Sequence, residues 1–424
     1  MARTGPLTAD QRAVLDAVAA RLPDGPLVVA LSGGGDSAAL AWAVTACGRR
    51  ATAVTIDHGL AVSPPLVRAA AAIAAALGLE HRIVAVSPNS PAEADLREVR
   101  LAALEAAASD ATVLTGHTAD DQAETVLGNL LRGAGPGGLG GIPERRGQWL
   151  RPLLGVSRSV ARSAAAAAGL PFVDDPSNAD TSYRRNRLRH ETIPALEAAY
   201  NPALREALAR TARLAAADDS LLATRAEAVP LHRDQGAILI PAACLETLPP
   251  PVAGRVARRA LRMLHAPYPG EAADVAAVLD AVSGGTRQLT GALLASREGP
   301  WVSVHPAVSL SVPPPIALPV PGTVTFGPWR IGAGAASPGL GRLGAVVVGE
   351  HLVVRAAMAG DRIAIAGGTK KVFDALAEAG VARRLRACWP VVEADGTVAW
   401  LVGVRAAPPS EAHGVTMTAT REPW

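Results

Sequence analysis

The sequence predicts an α/β protein that begins with a Rossmann-like parallel sheet carrying helices on both faces. Two observations predict this fold: short apolar segments alternate with longer segments of helical spacing, and small polar residues follow the apolar segments. Strands separated by helices form βαβ units, whose binding sites lie at the carboxyl ends of the strands. The predicted strands are 27–31, 52–56, 82–86 and 112–115, and the predicted helices are 38–47, 64–77, 92–108 and 121–131.

The first strand runs directly into a loop of small residues, Ser-Gly-Gly-Gly-Asp-Ser at 32–37. Glycines let backbone N–H groups converge on an anion, while Ser32 and Ser37 add hydroxyl donors at the start of a helix. A carboxylate in such a cradle, here Asp36, is explained by a divalent cation that bridges it to phosphates. The loop therefore predicts a nucleotide phosphate site.

Two other phosphate-binding motifs fit the loop less well. A Walker loop needs a lysine, and the only lysines of the chain are Lys370 and Lys371, so that motif is excluded. In a dinucleotide-binding fold, an acidic residue about twenty residues beyond the glycines binds the ribose. Asp57 lies near that distance, so dinucleotide binding stays open at this point.

Polar motifs also follow the second and fourth predicted strands. Ile-Asp-His-Gly-Leu occupies 56–60, and Thr-Gly-His-Thr-Ala-Asp-Asp-Gln-Ala-Glu-Thr occupies 115–125. Since both motifs and the glycine loop fall at carboxyl ends of strands, they could share one cleft.

The order of these motifs closely resembles that of the bacterial tRNA(Ile)-lysidine synthetase family, in the ATP-pyrophosphatase (PP-loop) superfamily. The resemblance is collinear over the first half of the chain, and it implies an adenine nucleotide alpha hydrolase-like fold. It departs at Thr118, where the family often has a second His, and at Leu101, where an aromatic is common. Further matching segments lie at 130–133, 137–139, 151–154, 174–178, 185–189 and 193–194.

The resemblance implies a ligase that uses ATP, Mg²⁺, L-lysine and an isoleucine tRNA with a CAU anticodon. The 2-carbonyl oxygen of the wobble cytidine would attack the α-phosphate of ATP and expel pyrophosphate. The amine of lysine would then displace AMP from C2 and leave lysidine.

The resemblance also gives candidate roles to residues. Asp121 and Glu124, three apart at a helix start, can share a face and are the lysine-binding candidates. Helix capping would explain one such carboxylate without any catalysis. Asp36 and Asp120 are the candidate magnesium ligands. The catalytic candidates are Asp36, His117, Asp120, Asp121 and Glu124. The ATP-binding candidates are Ser32, Gly33, Gly34, Gly35, Asp36, Ser37, Ile56, His58, Arg97 and Arg189.

The second half of the chain is predicted to be helical at first and mixed later. Helical spacing occurs at 157–168, 202–222, 252–264 and 271–282, and a Pro-rich stretch at 311–321 predicts a linker. The predicted domains are a catalytic domain at 1–215, a mainly helical or mixed tRNA-binding domain at 216–310, and a small α+β tRNA-binding domain at 322–424.

Basic residues cluster at two places where RNA phosphates could bind. Each cluster has an ordinary alternative, a charged helix face or a solvated turn, and the net charge of +3 does not decide between them. The candidates are Arg184, Arg185, Arg187, Arg205, Lys370, Lys371, Arg383, Arg384 and Arg386.

Composition narrows the class of protein further. The three cysteines lie far apart and form no C-x-x-C pair, which disfavours a disulfide framework, a zinc or iron–sulfur site and the thiolase branch of the superfamily. No apolar run reaches membrane-spanning length and residues 1–21 are too polar for a signal peptide, so we expect a cytoplasmic protein. Whether it forms a homodimer stays open. The competing functions are a tRNA thiolase, an amide-forming synthetase, and a nucleotide-sensing RNA-binding protein without turnover.

Overall fold

The structure is a computed structural model that describes residues 6–59, 63–87, 93–264, 272–308, 310–334, 343–408 and 414–421. The chain divides into two compact units, Met1–Leu221 and Leu222–Trp424. The predicted domain boundary after residue 215 lies close to this division, within the same long helix.

The first unit contains a six-stranded sheet. Its strands are β1 (Leu27–Ala30), β2 (Thr52–Asp57), β3 (Glu80–Ala85), β4 (Thr112–Leu114), β5 (Arg145–Arg146) and β6 (Trp149–Leu150). Their order is β3-β2-β1-β4-β6-β5, with parallel pairing everywhere except between β5 and β6. β5 and β6, of two residues each, are too short for a periodicity to predict.

The helices of the first unit follow the predicted alternation. They are α1 (Ala9–Ala19), α2 (Gly35–Ala46), α3 (Ser63–Leu77), α4 (Glu93–Ala108), α5 (Ala119–Leu130), α6 (Pro136–Leu139), α7 (Arg158–Ala167), α8 (Arg184–Arg187), α9 (Ile193–Ala199) and α10 (Leu204–Glu227). A π-helical turn, Leu188–Thr192, joins α8 to α9.

Both faces of the sheet are covered, as expected for a buried parallel sheet. Val29 of β1 packs in a core with residues of α1, α2, α3 and α7, whereas its neighbour Val28 packs in a second core with Leu104 of α4. Successive residues of a strand point to opposite faces, so an all-apolar strand needs helices on both sides. The predicted fold class is confirmed for this unit.

The second unit begins with helices and an antiparallel sheet, in the region described from sequence as mixed. The helices are α11 (Ala242–Thr247), α12 (Pro250–Leu264) and α13 (Ala272–Asp280). The strands are β7 (His232–Asp234), β8 (Ala237–Pro241), β9 (Thr286–Leu289), β10 (Leu293–Glu298) and β11 (Trp301–Pro306), in the order β7-β8-β11-β10-β9.

The rest of the second unit is an α+β arrangement of two further sheets. Its elements are β12 (Ile316–Ala317), β13 (Gly322–Phe326), β14 (Trp329–Ala333), β15 (Leu343–Val347), β16 (Leu352–Ala356), β17 (Arg362–Ile365), β18 (Gly368–Lys371), α14 (Val372–Glu378), β19 (Pro390–Ala394), β20 (Thr397–Leu401), β21 (Arg405–Ala406) and β22 (Val415–Arg421). One sheet has the order β12-β16-β19-β20-β17-β18 with β21 beside β20, and the other β13-β14-β22-β15.

The Pro-rich stretch predicted as a linker contributes to the first of these sheets. Ile316 pairs with Val354 across β12 and β16, and Leu318 is buried. Ile316 and Leu318 therefore belong to the core of this unit, whereas Val312 and Val320 are exposed. Among the described helices, none is long and apolar enough to cross a membrane.

Candidate active site

The glycine loop between β1 and α2 has the shape of an anion cradle. Gly33 has a φ of +85°, and a Cβ atom there would lie 2.2 Å from the carbonyl oxygen of Leu66, so a side chain is excluded on both counts. α2 begins at Gly35, and no side chain caps its first turn. The N–H groups at this helix start are therefore directed at a space where phosphate binds well.

The two serines of the loop differ in their exposure to solvent and in the role of their hydroxyl groups. The Ser37 hydroxyl is buried and donates to the carbonyl of Gly34 at 2.9 Å, and it accepts from the N–H of Ser32 at 3.2 Å. Ser37 thus holds the loop in shape, whereas the exposed Ser32 can face a ligand.

The loop after β4 lies against the glycine loop. A Cβ atom on Gly116 would lie 2.9 Å from the backbone carbon and oxygen of Asp36, so only glycine permits this approach. Immediately after Gly116, His117 bonds through Nδ1 to the Thr115 hydroxyl at 2.9 Å. The approach brings the start of α5, with its carboxylates, beside the phosphate cradle.

Arg158, the first residue of α7, joins these elements. Its Nε lies 3.2 Å from Asp36 Oδ2, its Nη2 2.8 Å from Asp121 Oδ1 and its Nη1 3.3 Å from Glu124 Oε1. Its backbone N–H also donates to Asp120 Oδ2 at 2.7 Å. One arginine thus contacts all four carboxylates predicted for catalysis.

Two further arginines pair with the same carboxylates. Arg185 contacts Asp121 at 2.7 Å and Glu124 at 2.8 Å, and Arg189 contacts Glu124 at 2.7 Å. The Glu124 side chain is only 1% exposed. We call the set Asp36, Asp121, Glu124, Arg158, Arg185 and Arg189 the acid–arginine cluster.

The charges of this cluster separate the pKa values of its acids. Burial raises the pKa of Asp36 to about 6, with the charge of Asp121 adding to the effect and Arg158 opposing it. Burial acts on Asp121 in the same direction, but Arg158 and Arg185 overcome it and hold the pKa of Asp121 at about 2. For Glu124, burial is likewise outweighed, mainly by its hydrogen bond from Arg189, and its pKa is lowered.

His117 is neutral at physiological pH, because burial lowers its pKa to about 4. His58, at the end of β2, is half-buried; burial lowers its pKa too, and its Nδ1 has no hydrogen-bond partner among the described residues. Ile56 lies on β2, two residues before His58. A neutral imidazole with a free nitrogen can bond a polar ligand such as a nucleoside.

The remaining basic candidates of the first unit are either exposed or already held in ion pairs with carboxylates. Arg205 is engaged, with Asp120 at 3.1 Å and Glu197 at 3.0 Å, and Arg185 belongs to the acid–arginine cluster. The exposed residues are Arg97, Arg184 and Arg187. Only the exposed group is free to meet RNA without breaking an ion pair.

The basic candidates of the second unit divide in the same way. Arg384 is only 9% exposed and pairs with Asp234 at 2.6 Å and with Glu298 at 3.0 Å, so its guanidinium joins elements of the unit. Lys370 pairs with Glu378, and Arg386 donates to the carbonyl of Val381. Lys371 and Arg383 are exposed.

The fit of a magnesium ion can be judged at Asp36. Its Oδ1 is buried and has no hydrogen-bond partner among the described residues, whereas both oxygens of Asp120 are engaged. Three potential ligands of the His, Cys, Asp or Glu type do not cluster anywhere in the described part of the chain. Since Mg²⁺ often takes one or two carboxylates plus substrate phosphates, Asp36 alone fits such an ion.

Arg158 is the functional candidate that the sequence analysis missed. Nothing local distinguishes it, since it starts an ordinary helix capped by Ser157. Only the packing of α7 against α2 brings it to the carboxylates.

Comparisons with known proteins agree with this geometry. The PP-loop domain family matches residues 7–196, and the TilS substrate C-terminal domain family matches residues 352–417. A tRNA(Ile)-lysidine synthase of Thermus thermophilus is 36% identical over 405 residues, covering 92% of this chain and 71% of the relative. This chain belongs to the tRNA(Ile)-lysidine synthase family.

Other members of the tRNA(Ile)-lysidine synthase family are more similar over shorter stretches. That of Salinispora tropica is 46% identical over 285 residues, covering 62% of this chain and 83% of the relative. That of Streptomyces coelicolor is 45% identical over 267 residues, covering 59% of this chain and 75% of the relative. The predicted family is confirmed, and the dinucleotide-binding alternative is wrong.

Proposed function

We propose that the glycine loop and the acid–arginine cluster form one site, in which the wobble cytidine is adenylated and L-lysine then displaces AMP. The chain is an ATP-using enzyme that forms lysidine on tRNA(Ile), as its family membership shows. The observation that carries the proposed site is Arg158, whose guanidinium lies within 3.3 Å of Asp36, Asp121 and Glu124.

The triphosphate of ATP would bind at the start of α2. The backbone N–H groups of the loop and the Ser32 hydroxyl would surround the β- and γ-phosphates, and His58 would bond the nucleoside at the end of β2. Asp36, whose Oδ1 is unpartnered among the described residues, would hold Mg²⁺, and the ion would supply positive charge that offsets the charge of the pyrophosphate leaving group. Attack by the cytidine 2-carbonyl oxygen on the α-phosphorus breaks its bond to the bridging oxygen, and pyrophosphate leaves.

The acid–arginine cluster has a role in each step. Its three carboxylates balance three guanidinium groups, so no member carries a buried unpaired charge. A phosphate that takes Arg158 or Arg189 frees acceptor positions on Asp121 and Glu124, which suit the ammonium groups of lysine. The lysine amine must be neutral to attack C2. Once the C2–N bond has formed, this nitrogen becomes acidic, and the neutral His117 imidazole can accept the proton that it loses. The bond from C2 to the AMP oxygen then breaks.

The exposed Arg184 and Arg187 of the first unit and the exposed Lys371 and Arg383 of the second would bind tRNA phosphates. Because the substrates are tRNA and ATP, we propose that the protein acts in the cytoplasm.

The decisive experiment incubates the purified protein with ATP, Mg²⁺, radiolabelled lysine and an isoleucine tRNA bearing a CAU anticodon. We expect label in that tRNA, release of AMP and pyrophosphate, and no label in a methionine tRNA control. Pyrophosphate release that depends on sulfide or ammonia, without lysine incorporation, would support a thiolase or an amide-forming synthetase. Light scattering of the same sample decides between monomer and homodimer.

A further inference from the structure

Arg151 is a buried arginine at the carboxyl end of β6, and it does not belong to the acid–arginine cluster. Only 8% of its surface is exposed, and its Nη1 donates to the carbonyl of Pro143 at 2.9 Å. Its Nε is buried and has no hydrogen-bond partner among the described residues. A guanidinium carries five N–H donors, so Arg151 keeps donor capacity that the fold leaves unused.

The charges around Arg151 are positive. Burial lowers its pKa, and the neighbouring charges that lower it further are Arg97 and Arg146. The nearby carboxylates have other partners: Glu144 pairs with Arg21 at 2.8 Å, and Glu105 accepts from the Trp149 indole at 2.8 Å. Buried arginines are normally paired with an anion, and here the described part of the fold supplies none.

Arg151 lies on the same edge of the sheet as the proposed site. β6 pairs with β4, and the N–H of Thr115 donates to the carbonyl of Leu150, the residue before Arg151. Thr115 in turn bonds His117, whose pKa the charge of Arg151 helps to lower. An anion at Arg151 would therefore lie beside the catalytic loop.

The strand order decides which anion fits. β2, which carries the proposed nucleoside position, lies on one side of β1, while β4 and β6 lie on the other. ATP phosphates at the β1 loop, adenosine at β2 and lysine at Asp121 and Glu124 of α5 leave the β6 side for the remaining substrate. That substrate is RNA, whose phosphodiesters are the anions it brings.

We propose that Arg151 binds a backbone phosphate of the tRNA next to the wobble cytidine, and that the charge of Arg146 attracts the same RNA segment. The proposal rests on the proposed function, because it takes the tRNA to enter this edge of the sheet. The phosphates of ATP share the required chemistry, and the test separates the two sources.

The test measures binding of the CAU isoleucine tRNA and of ATP separately, across a range of salt concentrations. We expect Arg151→Gln to weaken tRNA binding by about tenfold and to reduce the slope of log K against log salt by about 0.7, the share of one single-strand phosphate contact. ATP affinity should stay within about twofold, since ATP makes no contact there. Arg146→Gln should weaken tRNA binding by a smaller factor of about three, because it acts only through the field.

The matched control is Arg145→Gln, which removes one charge from β5, the strand that also carries Arg146. Neighbouring residues of a strand point to opposite faces, so Arg145→Gln should leave tRNA affinity within about twofold. Unchanged tRNA affinity in folded Arg151→Gln protein overturns the proposal, as does a loss confined to ATP. If Arg151→Gln fails to fold because the bond to Pro143 is lost, two other variants decide. The proposal then requires weaker tRNA binding in Arg146→Gln, which changes an exposed residue, and near-normal tRNA binding in Arg151→Lys, which keeps the charge.

Binding needs neither lysine nor turnover, so the two proposals fail separately. A wild-type protein that binds the tRNA but incorporates no lysine contradicts the proposed function and leaves the Arg151 result valid.

Discussion

The Nε of Arg158 lies 3.2 Å from Oδ2 of Asp36, which joins the start of α7 to the phosphate-binding loop. The other oxygen of Asp36 is buried and unpartnered among the described residues. One carboxylate thus has one oxygen held by the protein and one available to a ligand. This division is what a residue needs if it is to position a cation without moving itself.

Asp36→Asn should abolish ATP–pyrophosphate exchange, since the amide cannot hold a cation through a charged oxygen. Exchange at the parent rate in folded protein would remove this role from Asp36. His58→Ala is the companion variant, and it should raise the ATP dissociation constant without abolishing exchange.

Asp36 should also leave a trace in the pH dependence of stability. Its pKa in the folded protein, about 6, lies above its ordinary value of 3.8, so ionisation opposes folding. As pH rises from about 4 to about 6.5, the parent should lose stability relative to Asp36→Asn by on the order of 2 kcal/mol. Denaturant unfolding at several pH values without ATP measures this, and a difference independent of pH would contradict the raised pKa.

Glu124→Gln should destabilise the protein by about 3 kcal/mol at pH 7, because it leaves three guanidinium groups with one carboxylate fewer in a buried place. The control is Asp174→Asn, whose side chain is 72% exposed beside Arg162 and should cost less than about 1 kcal/mol. Since the pKa of Glu124 is lowered by folding, its contribution is present above its ordinary value of 4.5 and is lost as pH falls below it. Equal costs for the two variants at pH 7 would rule out this account of the cluster.

Gly116→Ala should disrupt the site without unfolding the sheet. The added Cβ atom would meet the backbone of Asp36 at 2.9 Å, which forces the two loops apart. We expect lysine incorporation to fall by at least about tenfold. Gly155→Ala is the matched control, since nothing lies within 4 Å of the Cβ position there; similar activity in both variants would show that the contact is unimportant.

Thr55→Val should weaken ATP binding, because Thr55 supports the residue from which the glycine loop begins. The buried Thr55 hydroxyl donates to the carbonyl of Leu31, directly before the glycine loop, at 2.7 Å, and His81 Nε2 bonds the same hydroxyl at 2.8 Å. Because the hydroxyl has one proton, the imidazole donates to it. Valine leaves both partners unsatisfied, at a cost of about 1–3 kcal/mol in stability, and should raise the ATP dissociation constant several-fold. Thr52→Val, whose hydroxyl bonds Glu80 at the surface, should change neither quantity.

Lys371→Glu should weaken tRNA binding far more than ATP binding, because the exposed ammonium is free to meet a phosphate. Lys370→Glu should weaken tRNA binding by a smaller factor than Lys371→Glu, since Lys370 already pairs with Glu378. Filter binding at fixed salt compares the two, and tRNA affinity unchanged in both would remove this loop from the RNA surface.

The sequence by itself determined the alternation of strands and helices, the phosphate loop and the family. These features are local: apolar strands need no distant partner to be recognised, and the positive φ of Gly33 follows from a tight turn between β1 and α2. The predicted carboxylates Asp36, Asp121 and Glu124 are indeed brought together. Their proximity follows from the rule that parallel strands share a carboxyl edge.

Only the tertiary structure decided which charges are available. Arg185 and Arg384 belong to similar basic stretches of sequence, yet Arg185 pairs with Asp121 and Glu124 whereas Arg384 pairs with Asp234 and Glu298 within the second unit. Arg151 is buried beside other cations, with no carboxylate among the neighbours that shift its pKa. The sequence gives the charge of each side chain. The free energy of that charge in the folded protein depends on burial and on partners that lie tens of residues away along the chain, and only folding brings those partners into contact.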